Sequence, residues 1–437
     1  MPKKKKIRKT GKSGKVKKDK KRHFPGIPTY EEEFSHIKEY LAKDNNLKLI
    51  MIDASKINKI EQDYGKKIYS SVLDTLSKVI AEMRKKLIRR EDIIAINHVN
   101  GDTFYIFLSR YRKEKHFQMG DLESVADRVQ HYVNEKMFIT VYSLLKRRPR
   151  INVGYAITIY NPLIQEERLI DKLIQDARTM TDYREFKTYM RNKEKLQELI
   201  LKQEIKTIYQ PIVNLKTHEI IGYEALSRGP RNTEYENPFI LFNIAEETGL
   251  IFELDSLCRK KAFLNARGIK KEHNLFINII PTTIHDPEFK GEYLQQFLQD
   301  LKISPRRVVL EVSERQIIEN FDIFRRATKY YADLGFAIAI DDTGTGYSNL
   351  QTLLQLRMQY IKIDITLIQN IDKDSVKQEL VRALVQIASN INVMSIAEGI
   401  ESKAELKTLM ELGVSYGQGF LFARPAPPFS KINNIVL

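Results

Sequence analysis

Cysteine, tryptophan and long apolar runs are scarce or absent in this sequence. The one cysteine, Cys258, excludes an intramolecular disulfide and a zinc site built from cysteines. A chain without disulfides is typical of a reducing compartment, which favours the cytoplasm. No stretch approaches the roughly 18 uninterrupted apolar residues of a membrane span, so no transmembrane helix is predicted. The N-terminus is charged and has no apolar core, which argues against a secretory signal.

The rest of the composition is that of a folded protein with an uneven charge distribution. Hydrophobic residues make up 42% and charged residues 29% of the 437 residues. At about 150 residues per domain, this length predicts two or three domains. The net charge is +16, yet residues 1–22 alone hold 13 Lys or Arg and one acidic residue, Asp19. The basic character therefore belongs to a tail, and the remaining chain is almost balanced.

Residues 1–24 are predicted to form a disordered polybasic tail, because like charges repel and few apolar residues are available to bury. Such a tail can contact nucleic acid. It can equally contact an anionic membrane surface, which would place the protein at the membrane periphery. The alternative is a solvated tail that has no specific partner.

The region 25–183 alternates apolar runs with helical stretches. Strands are predicted at Leu47–Ile52, Asp92–Ile96, Thr103–Leu108, Phe138–Ser143 and Ile151–Ile159, and helices at Gly65–Leu87 and Leu122–Lys136. This alternation predicts an α+β domain. Residues 184–206 contain many Lys, Glu and Leu residues and no Gly or Pro, so a helical linker is predicted there.

From Ile208 onward, an apolar run, a polar loop and a helical stretch recur eight times. The runs span residues 208–213, 220–226, 275–280, 308–313, 337–342, 360–364, 392–399 and 416–422. Their spacing has no fixed period, which argues against a solenoid. Eight short strands, mostly separated by helices, predict a C-terminal TIM-type (β/α)₈ barrel and place the chain in the α/β class.

Polar residues lie near the C-terminal ends of these apolar runs. They are Glu224, Asn278, Glu311, Asp341, Asp342, Lys362, Asp364, Glu398 and Gln418. A barrel brings the C-terminal ends of its strands together on one face, where active sites are built. Several carboxylates at one face repel each other unless cations lie between them. The pattern therefore predicts a charged site at the barrel mouth.

The residue types at this site predict magnesium or manganese. Every proposed ligand atom is an oxygen of Asp, Glu or Asn, which these ions prefer over zinc or copper. The adjacent pair Asp341 and Asp342 can bridge two ions, and two ions suit an in-line displacement at phosphorus. Lys362 can position the attacking water. The glycine-containing loop after Asp342 is suited to closing over a phosphate.

These residues resemble the signature of EAL-domain cyclic di-GMP phosphodiesterases over roughly residues 195–437. The similar segments are YQPIV (209–213), YEALSR (223–228), FIN (276–278), LEVSE (310–314), DDTGTGYSNL (341–350), IKID (361–364), AEGIES (397–402) and GQGFLFARP (417–425). Together these segments are specific, whereas the tripeptide at 224–226 alone would mean little.

The resemblance implies a barrel that hydrolyses cyclic di-GMP to linear pGpG with two divalent cations, Mg²⁺ or Mn²⁺. The implied metal ligands are Glu224, Asn278, Glu311, Asp341, Asp342 and Glu398, and the implied catalytic residues are Lys362, Glu398, Glu224 and Gln418. Gln210, Arg228 and Asp364 are implied substrate contacts. Glu314 and Thr343 are implied to position the loop after Asp342. The resemblance also implies a homodimer formed through helices of the barrel near that loop.

The sequence departs from the family pattern at three positions. Thr343 replaces a Phe, Gln359 replaces an Asp, and Ile280 replaces a small polar residue. None of the three is an implied metal ligand. The departures therefore bear on rate and loop movement more than on the chemistry.

Four residues also have a purely structural interpretation. Asp364 can pair with an arginine, Glu314 can begin a helix, and Arg228 can be a surface residue. Cys258 is predicted to be a small core residue rather than a nucleophile, because no matching base is evident.

Residues 45–185 resemble a degenerate GGDEF, or diguanylate cyclase, domain. The similar segments are LIMIDASKINKIEQDYG (49–65), NGDTFYIFL (100–108) and INVGYAITIY (151–160). The signature turn has Asn100 and Thr103 in place of a Gly and an acid, and the nucleotide site has Glu61 and Ser70 in place of an Asn and an Asp. The resemblance therefore implies no cyclase activity. It leaves GTP as a regulator, or a structural or dimerisation role.

This region contains two further motifs. Asp53 and Asp102 can still share a metal ion. The segment 89–92 is similar to an inhibitory RxxD motif, but its distance to the signature turn is too long. A charged surface turn is therefore predicted for it.

The predicted organisation is a tail (1–24), a GGDEF-like domain (25–183), a helical linker (184–206) and an EAL barrel (195–437). The predicted function is metal-dependent hydrolysis of cyclic di-GMP in a bacterial cytoplasm, which lowers this second messenger. One alternative is a catalytically silent cyclic di-GMP receptor or signalling scaffold, against which the metal ligands and Lys362 argue. Another places the function in the tail, as a scaffold bound to nucleic acid or membrane.

Overall fold

The structure is a computed structural model that describes residues 27–97, 102–109, 119–145, 151–314, 321–344, 357–427 and 429. The predicted tail, turn residues Asn100 and Gly101 and loop residues 345–350 lie outside the described residues. The chain divides into two compact units, Met1–Thr188 and Tyr189–Leu437. Within the described ranges, no helix combines the length and apolar character that crossing a membrane requires.

The first unit is an antiparallel sheet with helices on both faces. Its strands are β1 (Asn46–Asp53), β2 (Ile93–Ile96), β3 (Thr103–Leu108) and β4 (Asn152–Ile159), in the order β2-β3-β1-β4. Its helices are α1 (Tyr30–Asp44), α2 (Asn58–Tyr64), α3 (Lys66–Lys86), α4 (Met119–Leu145) and α5 (Glu166–Leu201), and α5 continues into the second unit. The unit is α+β, as predicted.

Strand β1 is buried on both faces because it lies between β3 and β4 and under two helical layers. Ile50 and Ile52 pack into the core that contains residues of α3 and α4. Leu49 and Met51 point to the other face, into the core that contains residues of α1 and α5. This two-sided burial explains why β1 is a continuous apolar run rather than an alternating one.

The strand predicted at Phe138–Ser143 is wrong, because these residues belong to α4. The buried residues of α4 continue at helical spacing through Val129, Val133, Met137 and Val141. The β-branched residues of this segment mimic a strand locally. The apolar face shared with the preceding turns determines the actual structure.

The second unit is a closed eight-stranded barrel, as predicted. Its strands are β5 (Lys206–Asn214), β6 (Ile220–Arg228), β7 (Asn274–Asn278), β8 (Val308–Ser313), β9 (Ala337–Thr343), β10 (Tyr360–Ile363), β11 (Met394–Ala397) and β12 (Tyr416–Gly417). Its helices are α6 (Pro238–Thr248), α7 (Ile251–Asn265), α8 (Gly291–Asp300), α9 (Phe321–Asp333), α10 (Ile365–Ile368), α11 (Ser375–Asn390) and α12 (Lys403–Glu411).

One strand of the barrel runs against the others. Strand β5 is antiparallel to both β6 and β12, whereas the other neighbouring pairs are parallel. A tight turn at 215–219 joins β5 directly to β6, so no helix reverses the chain there. The N-terminal end of β5 therefore lies at the face where the other strands have their C-terminal ends.

The barrel interior is layered, because alternate residues of a strand point to the same side. An apolar floor is formed by Ile212, Phe276, Val309, Ala339 and Ile396. The next inward positions bear polar side chains, and we call this set the polar layer: Gln210, Glu224, Asn278, Glu311, Asp341, Lys362, Glu398 and Gln418. In β5 the polar residue precedes its floor residue, because this strand is reversed.

Candidate active site

Lys362 lies at the centre of the polar layer. It is completely buried, and its Nζ lies 2.8 Å from Glu398 Oε1 and 3.0 Å from Glu311 Oε1. Oxygens of Glu224 and Asp341 lie 3.3 Å and 3.4 Å from the same nitrogen. Four carboxylates from different strands and connections therefore surround one ammonium group.

Two amide side chains join the carboxylates into one network. Asn278 Nδ2 donates to Glu224 Oε1 at 3.1 Å and to Glu311 Oε2 at 3.2 Å. Gln418 Nε2 donates to Glu224 Oε2 at 2.7 Å and to Glu398 Oε1 at 3.3 Å. The amides hold neighbouring acids at fixed separations and partly offset their repulsion.

Burial and mutual repulsion raise the pKa of two acids of the cluster, whereas Lys362 and the two amides outweigh burial at Glu224 and lower its pKa. Burial raises the pKa of Glu311 well above its ordinary value, and the nearby Glu224 carboxylate raises it further. Burial and Asp341 raise the pKa of Glu398 in the same way. Burial opposes the charged form of Lys362, but the surrounding carboxylates outweigh it and raise that pKa well above the ordinary value. The site thus has more acidic groups than one ammonium can neutralise.

Asp341, Asp342 and Glu398 form a candidate cation site. Each can place one carboxylate oxygen within 4.8 Å of those of the other two. Asp342 has a left-handed backbone conformation, with φ of 58°, and its N–H donates to Asp341 Oδ1 at 2.9 Å. Neighbouring residues of a regular strand point to opposite faces, so this local departure allows adjacent aspartates to serve one site.

The donor chemistry of the cluster fits divalent cations of the magnesium or manganese type. The available ligand atoms are carboxylate and amide oxygens. Gln418 Oε1 is buried and has no hydrogen-bond partner within the described part of the chain. A buried acceptor without a donor carries a desolvation cost. A water molecule beside the acids would satisfy it.

The residues predicted to position the loop after Asp342 lie beside the cluster. Glu314 is buried, and its Oε2 accepts a hydrogen bond from the Gly344 backbone N–H at 3.2 Å. Thr343 is completely buried and donates from Oγ1 to the Ile340 carbonyl at 3.4 Å. Gln359 accepts from Ile338 N–H at 2.8 Å, towards the start of β9. This side chain therefore supports the strand away from the carboxylates.

The three predicted substrate contacts have different surroundings. Gln210 is buried in the polar layer and donates to the Ala423 carbonyl at 3.2 Å. Asp364 caps α10, because its Oδ1 accepts from the Thr366 N–H at 2.9 Å. Arg228 is half-buried at the end of β6, four residues after Glu224. Of the three, Arg228 has the clearest access to a ligand.

Arg228 lines a pocket of about 950 Å³. Lys206 and Arg231 line the same pocket, together with the acidic Glu234 and Glu236 and with Pro425. The sequence did not single out Lys206 or Arg231, since an isolated basic residue carries no signal in a chain this rich in lysine and arginine. The pocket therefore brings basic and acidic side chains together near the end of β6.

The candidate metal residues of the first unit are engaged within the protein. Asp102 is buried and accepts from Asn58 Nδ2 at 3.0 Å, and Asn58 Oδ1 accepts from the Tyr69 hydroxyl at 2.6 Å. Asp53 Oδ1 accepts from the Ser55 backbone N–H at 2.9 Å. Asn58 and Tyr69 were not predicted to matter, and only the fold reveals that they bond each other.

The expectation of a charged surface turn at 89–92 is wrong for its aspartate. Asp92 is buried, and its Oδ1 accepts from the Ser109 N–H at 2.7 Å and hydroxyl at 2.8 Å. Its Oδ2 accepts from the Arg89 N–H at 2.9 Å. Asp92 therefore ties the start of β2 to the end of β3, while Arg89 itself is exposed.

Comparison with known proteins identifies homologues for most of the chain. Residues 193–425 match the model of the EAL domain family. The cyclic di-GMP phosphodiesterase PdeR of Escherichia coli is 34% identical over 225 residues, which cover 50% of this chain and 33% of that protein. The signaling protein YkoW of Bacillus subtilis is 24% identical over 428 residues, which cover 92% of this chain and 51% of that protein. The chain spans about half the length of the curated relatives it matches.

Solved structures agree with the barrel. The PaMucR phosphodiesterase in complex with cyclic di-GMP is 28% identical, with a TM-score of 0.50, over 55% of this chain and 98% of that one. The EAL domain of Xanthomonas citri FimX is 22% identical, with a TM-score of 0.52, over 57% of this chain and 100% of that one, and it supports the fold alone. Because the family model covers more than half of the sequence, the chain belongs to the EAL domain family.

Proposed function

We propose that this chain hydrolyses cyclic di-GMP to linear pGpG and requires divalent cations, Mg²⁺ or Mn²⁺, to do so. The observation that carries the proposal is the buried Lys362 within 3.4 Å of four carboxylates, beside the three-carboxylate group of Asp341, Asp342 and Glu398. A site that only bound a ligand would not need this costly concentration of charge. Relatives named cyclic di-GMP phosphodiesterases support the choice of substrate.

In the proposed reaction, water adds across one P–O3′ bond of the cyclic dinucleotide. The phosphate remains on the 5′ side, the freed 3′-oxygen takes a proton, and the product is linear pGpG. Glu224, Asn278, Glu311, Asp341, Asp342 and Glu398 would hold the cations. Bound cations would lower the pKa of water and stabilise charge on the phosphoryl oxygens.

The buried side chains would align the reactants. Lys362 would hold the attacking water by donating a hydrogen bond to its oxygen. Gln418 Oε1, which lacks a hydrogen-bond donor within the described residues, would accept a hydrogen bond from the same water. Glu314 would keep the loop after Asp342 in place through the Gly344 N–H. Such positioning supports catalysis because the geometry is fixed before the substrate arrives.

Residues outside the cluster would hold the rest of the substrate. Arg228, Lys206 and Arg231, which line one pocket, would attract phosphate groups. Gln210 would contact the substrate from the polar layer. Asp364 would act through the helix it caps.

A homodimer formed through the barrel is part of the proposal. Val376 and Leu380 lie four residues apart on α11 and are 67% and 50% exposed, so they form an apolar strip on one side of that helix. A second copy of the chain could cover this strip. Sedimentation analysis of Leu380→Glu against the unchanged chain tests this, and equal molecular weights would count against it.

For the first unit, we propose a GGDEF-like domain without cyclase activity. Asp102 is already engaged with Asn58, and the residue that follows it is Thr103 rather than an acid. A role of GTP in regulation can be tested by adding GTP to the hydrolysis assay. The proposed contacts of the basic tail with membrane or nucleic acid concern residues outside the described ranges.

The test is turnover of cyclic di-GMP with Mg²⁺ or Mn²⁺, with pGpG followed by chromatography. The full chain, Glu224→Ala and a chain without residues 1–24 are compared, with and without GTP. The expected result is product that requires a metal, disappears in Glu224→Ala and persists without the tail. Tight binding of cyclic di-GMP without any turnover would overturn the proposal and favour a receptor. Loss of turnover on deletion of the tail would contradict the assignment of activity to the barrel.

A further inference from the structure

Glu405 joins two connections that carry residues of the proposed active site. It lies in the first turn of α12, outside the polar layer, and only 6% of its surface is exposed. Its Oε1 accepts from the Asn370 backbone N–H at 2.9 Å. Its Oε2 accepts from the backbone N–H groups of Glu401 and Ser402, both at 3.0 Å. Asn370 lies in the connection after β10, and the other two donors lie in the connection after β11.

Those two connections bear directly on the cluster. The connection after β10 begins just past Lys362, and the connection after β11 begins with Glu398. Residues 398–402 form neither helix nor strand. The Glu398 N–H donates to the Ile363 carbonyl at 3.1 Å and the Ile400 N–H donates to the Gln418 carbonyl at 3.0 Å, and these bonds hold the first part of the connection. Glu405 accepts from the N–H groups of the next two residues and joins this second part to the connection after β10.

Glu405 is suited to this role because it remains charged. Burial would raise its pKa, but the three backbone donors outweigh burial and lower its pKa below the ordinary value. Hydrogen bonds to an ionised acceptor are about twice as strong as neutral ones. Ser402 Oγ accepts in return from the Glu405 N–H at 3.2 Å, which completes a capping box.

Glu405 does more than an ordinary capping residue. The same arrangement occurs in the first unit, where Thr29 and Glu32 form the capping box of α1. There the glutamate bonds back to the Thr29 N–H at 3.0 Å, within its own helix terminus. Glu405 instead reaches Asn370, 35 residues away in sequence. The long-range bond distinguishes a cross-link from a cap.

We propose that Glu405 is a positioning residue that sets the separation of Glu398 from Lys362 by clamping the two connections together, and thereby sets the affinity of the cluster for its divalent cation. The inference rests on the proposed metal site. It concerns residues outside the ligand set, and substitutions in such supporting contacts change metal affinity by about 10–100-fold.

The test measures Mn²⁺ affinity without substrate, by electron paramagnetic resonance of free Mn²⁺, on the full chain. Glu405→Ala removes all three bonds. Glu405→Gln keeps one acceptor oxygen and replaces the other with a donor. Ser402→Ala removes half of the capping box but leaves the clamp intact. Glu32→Ala removes the equivalent glutamate from the box of α1. Melting temperatures are recorded for every variant.

The expected result is about tenfold weaker Mn²⁺ binding in Glu405→Ala, a smaller loss in Glu405→Gln, and unchanged affinity in Ser402→Ala and Glu32→Ala. Lower melting temperature with unchanged affinity in Glu405→Ala would overturn the inference, because the residue would then only cap α12. An equal loss in Ser402→Ala would overturn it as well. If the unchanged chain does not bind Mn²⁺, the proposed metal site itself is contradicted. If the unchanged chain binds Mn²⁺ and the Glu405 variants bind it equally well, only the role of Glu405 is contradicted.

Discussion

Lys362 is expected to control stability of the metal-free protein. Replacing it with methionine keeps much of its volume but leaves four carboxyl groups, of which those of Glu224 and Glu311 are buried, without their cation. Breaking a buried ion pair costs about 3–5 kcal/mol, so the free energy of unfolding should fall by about that amount in a chelator. Added Mn²⁺ should restore most of the loss, since the metal supplies the missing positive charge. Urea unfolding, with a chelator and with Mn²⁺, measures the two free energies of unfolding.

Lys407→Met is the control for this substitution, because Lys407 is exposed on α12. It should change the free energy of unfolding little with or without Mn²⁺. A loss of stability in Lys362→Met that Mn²⁺ does not reduce would show that the lysine acts only through packing.

Gly399 cannot accept a side chain. It follows Glu398, has φ of 69°, and an added Cβ would overlap the Ile365 side chain. Gly268 has φ of 98° but open space around its Cα. Gly268→Ala should therefore cost only the roughly 1–2 kcal/mol of left-handed strain, without loss of turnover. Gly399→Ala should in addition displace Glu398 and lower turnover about a hundredfold. Equal turnover in the two variants would contradict this.

The Cys258 thiol should be inert in the folded chain. Burial raises its pKa to about 12, so almost no thiolate forms at mildly alkaline pH. A thiol reagent should fail to label the native protein and should label one thiol per chain in concentrated urea. Because the folded pKa lies above the unfolded value, stability should fall as pH rises above the ordinary thiol pKa. Rapid labelling of the native chain would show that α7 opens readily.

At the residue scale, the sequence allowed prediction of which side chains meet but not of how they meet. The position of Glu311 or Asp341 at the end of an apolar run was enough to predict a shared layer. The left-handed conformation of Asp342 was not predictable, since aspartate is compatible with several conformations. The clamp of Glu405 was missed for a similar reason. A bond between residues 35 positions apart leaves no local pattern.

At the element scale, Asn58 is expected to stabilise the first unit by linking two of its elements. It joins Asp102, which precedes β3, to Tyr69 in α3. Asn58→Ala would leave a buried carboxylate without this donor and should cost about 1–3 kcal/mol in free energy of unfolding. Asn58→Asp should cost more at neutral pH, because it places a second carboxylate against Asp102. Urea unfolding of the unchanged chain and the two variants checks this order of stability. An unchanged urea midpoint in Asn58→Ala would contradict the role of Asn58.

The elements themselves divide into predictable and unpredictable ones. The eight barrel strands were predictable because each is an apolar run that ends at a turn or a polar loop. The reversal of β5 was not, since an apolar run has the same pattern in either direction. The C-terminal half of α4 was misassigned because its β-branched residues favour strands locally. Tertiary packing at helical spacing overrides that preference.

At the scale of the whole molecule, α5 connects the two units in a way that a linker prediction does not capture. The sequence predicts a helix only over 184–206, whereas α5 begins at Glu166 and ends at Leu201. Its first part packs in the first unit through Ile170 and Leu173. Its last part packs in the second unit through Leu196 and Leu199. The helix is therefore a structural component of both units.

This double role makes the result of truncation depend on where the chain is cut. A chain of residues 189–437 keeps Leu196 and Leu199, which are completely buried with Tyr235, Leu241 and Leu254. It should fold by itself and hydrolyse cyclic di-GMP if the barrel is the active part. A chain of residues 203–437 loses both leucines and exposes that cluster. Losing a buried leucine costs about 2–5 kcal/mol, so the shorter chain should melt at a clearly lower temperature or aggregate. Circular dichroism and pGpG formation compare the two, and equal stability would contradict the role assigned to the end of α5.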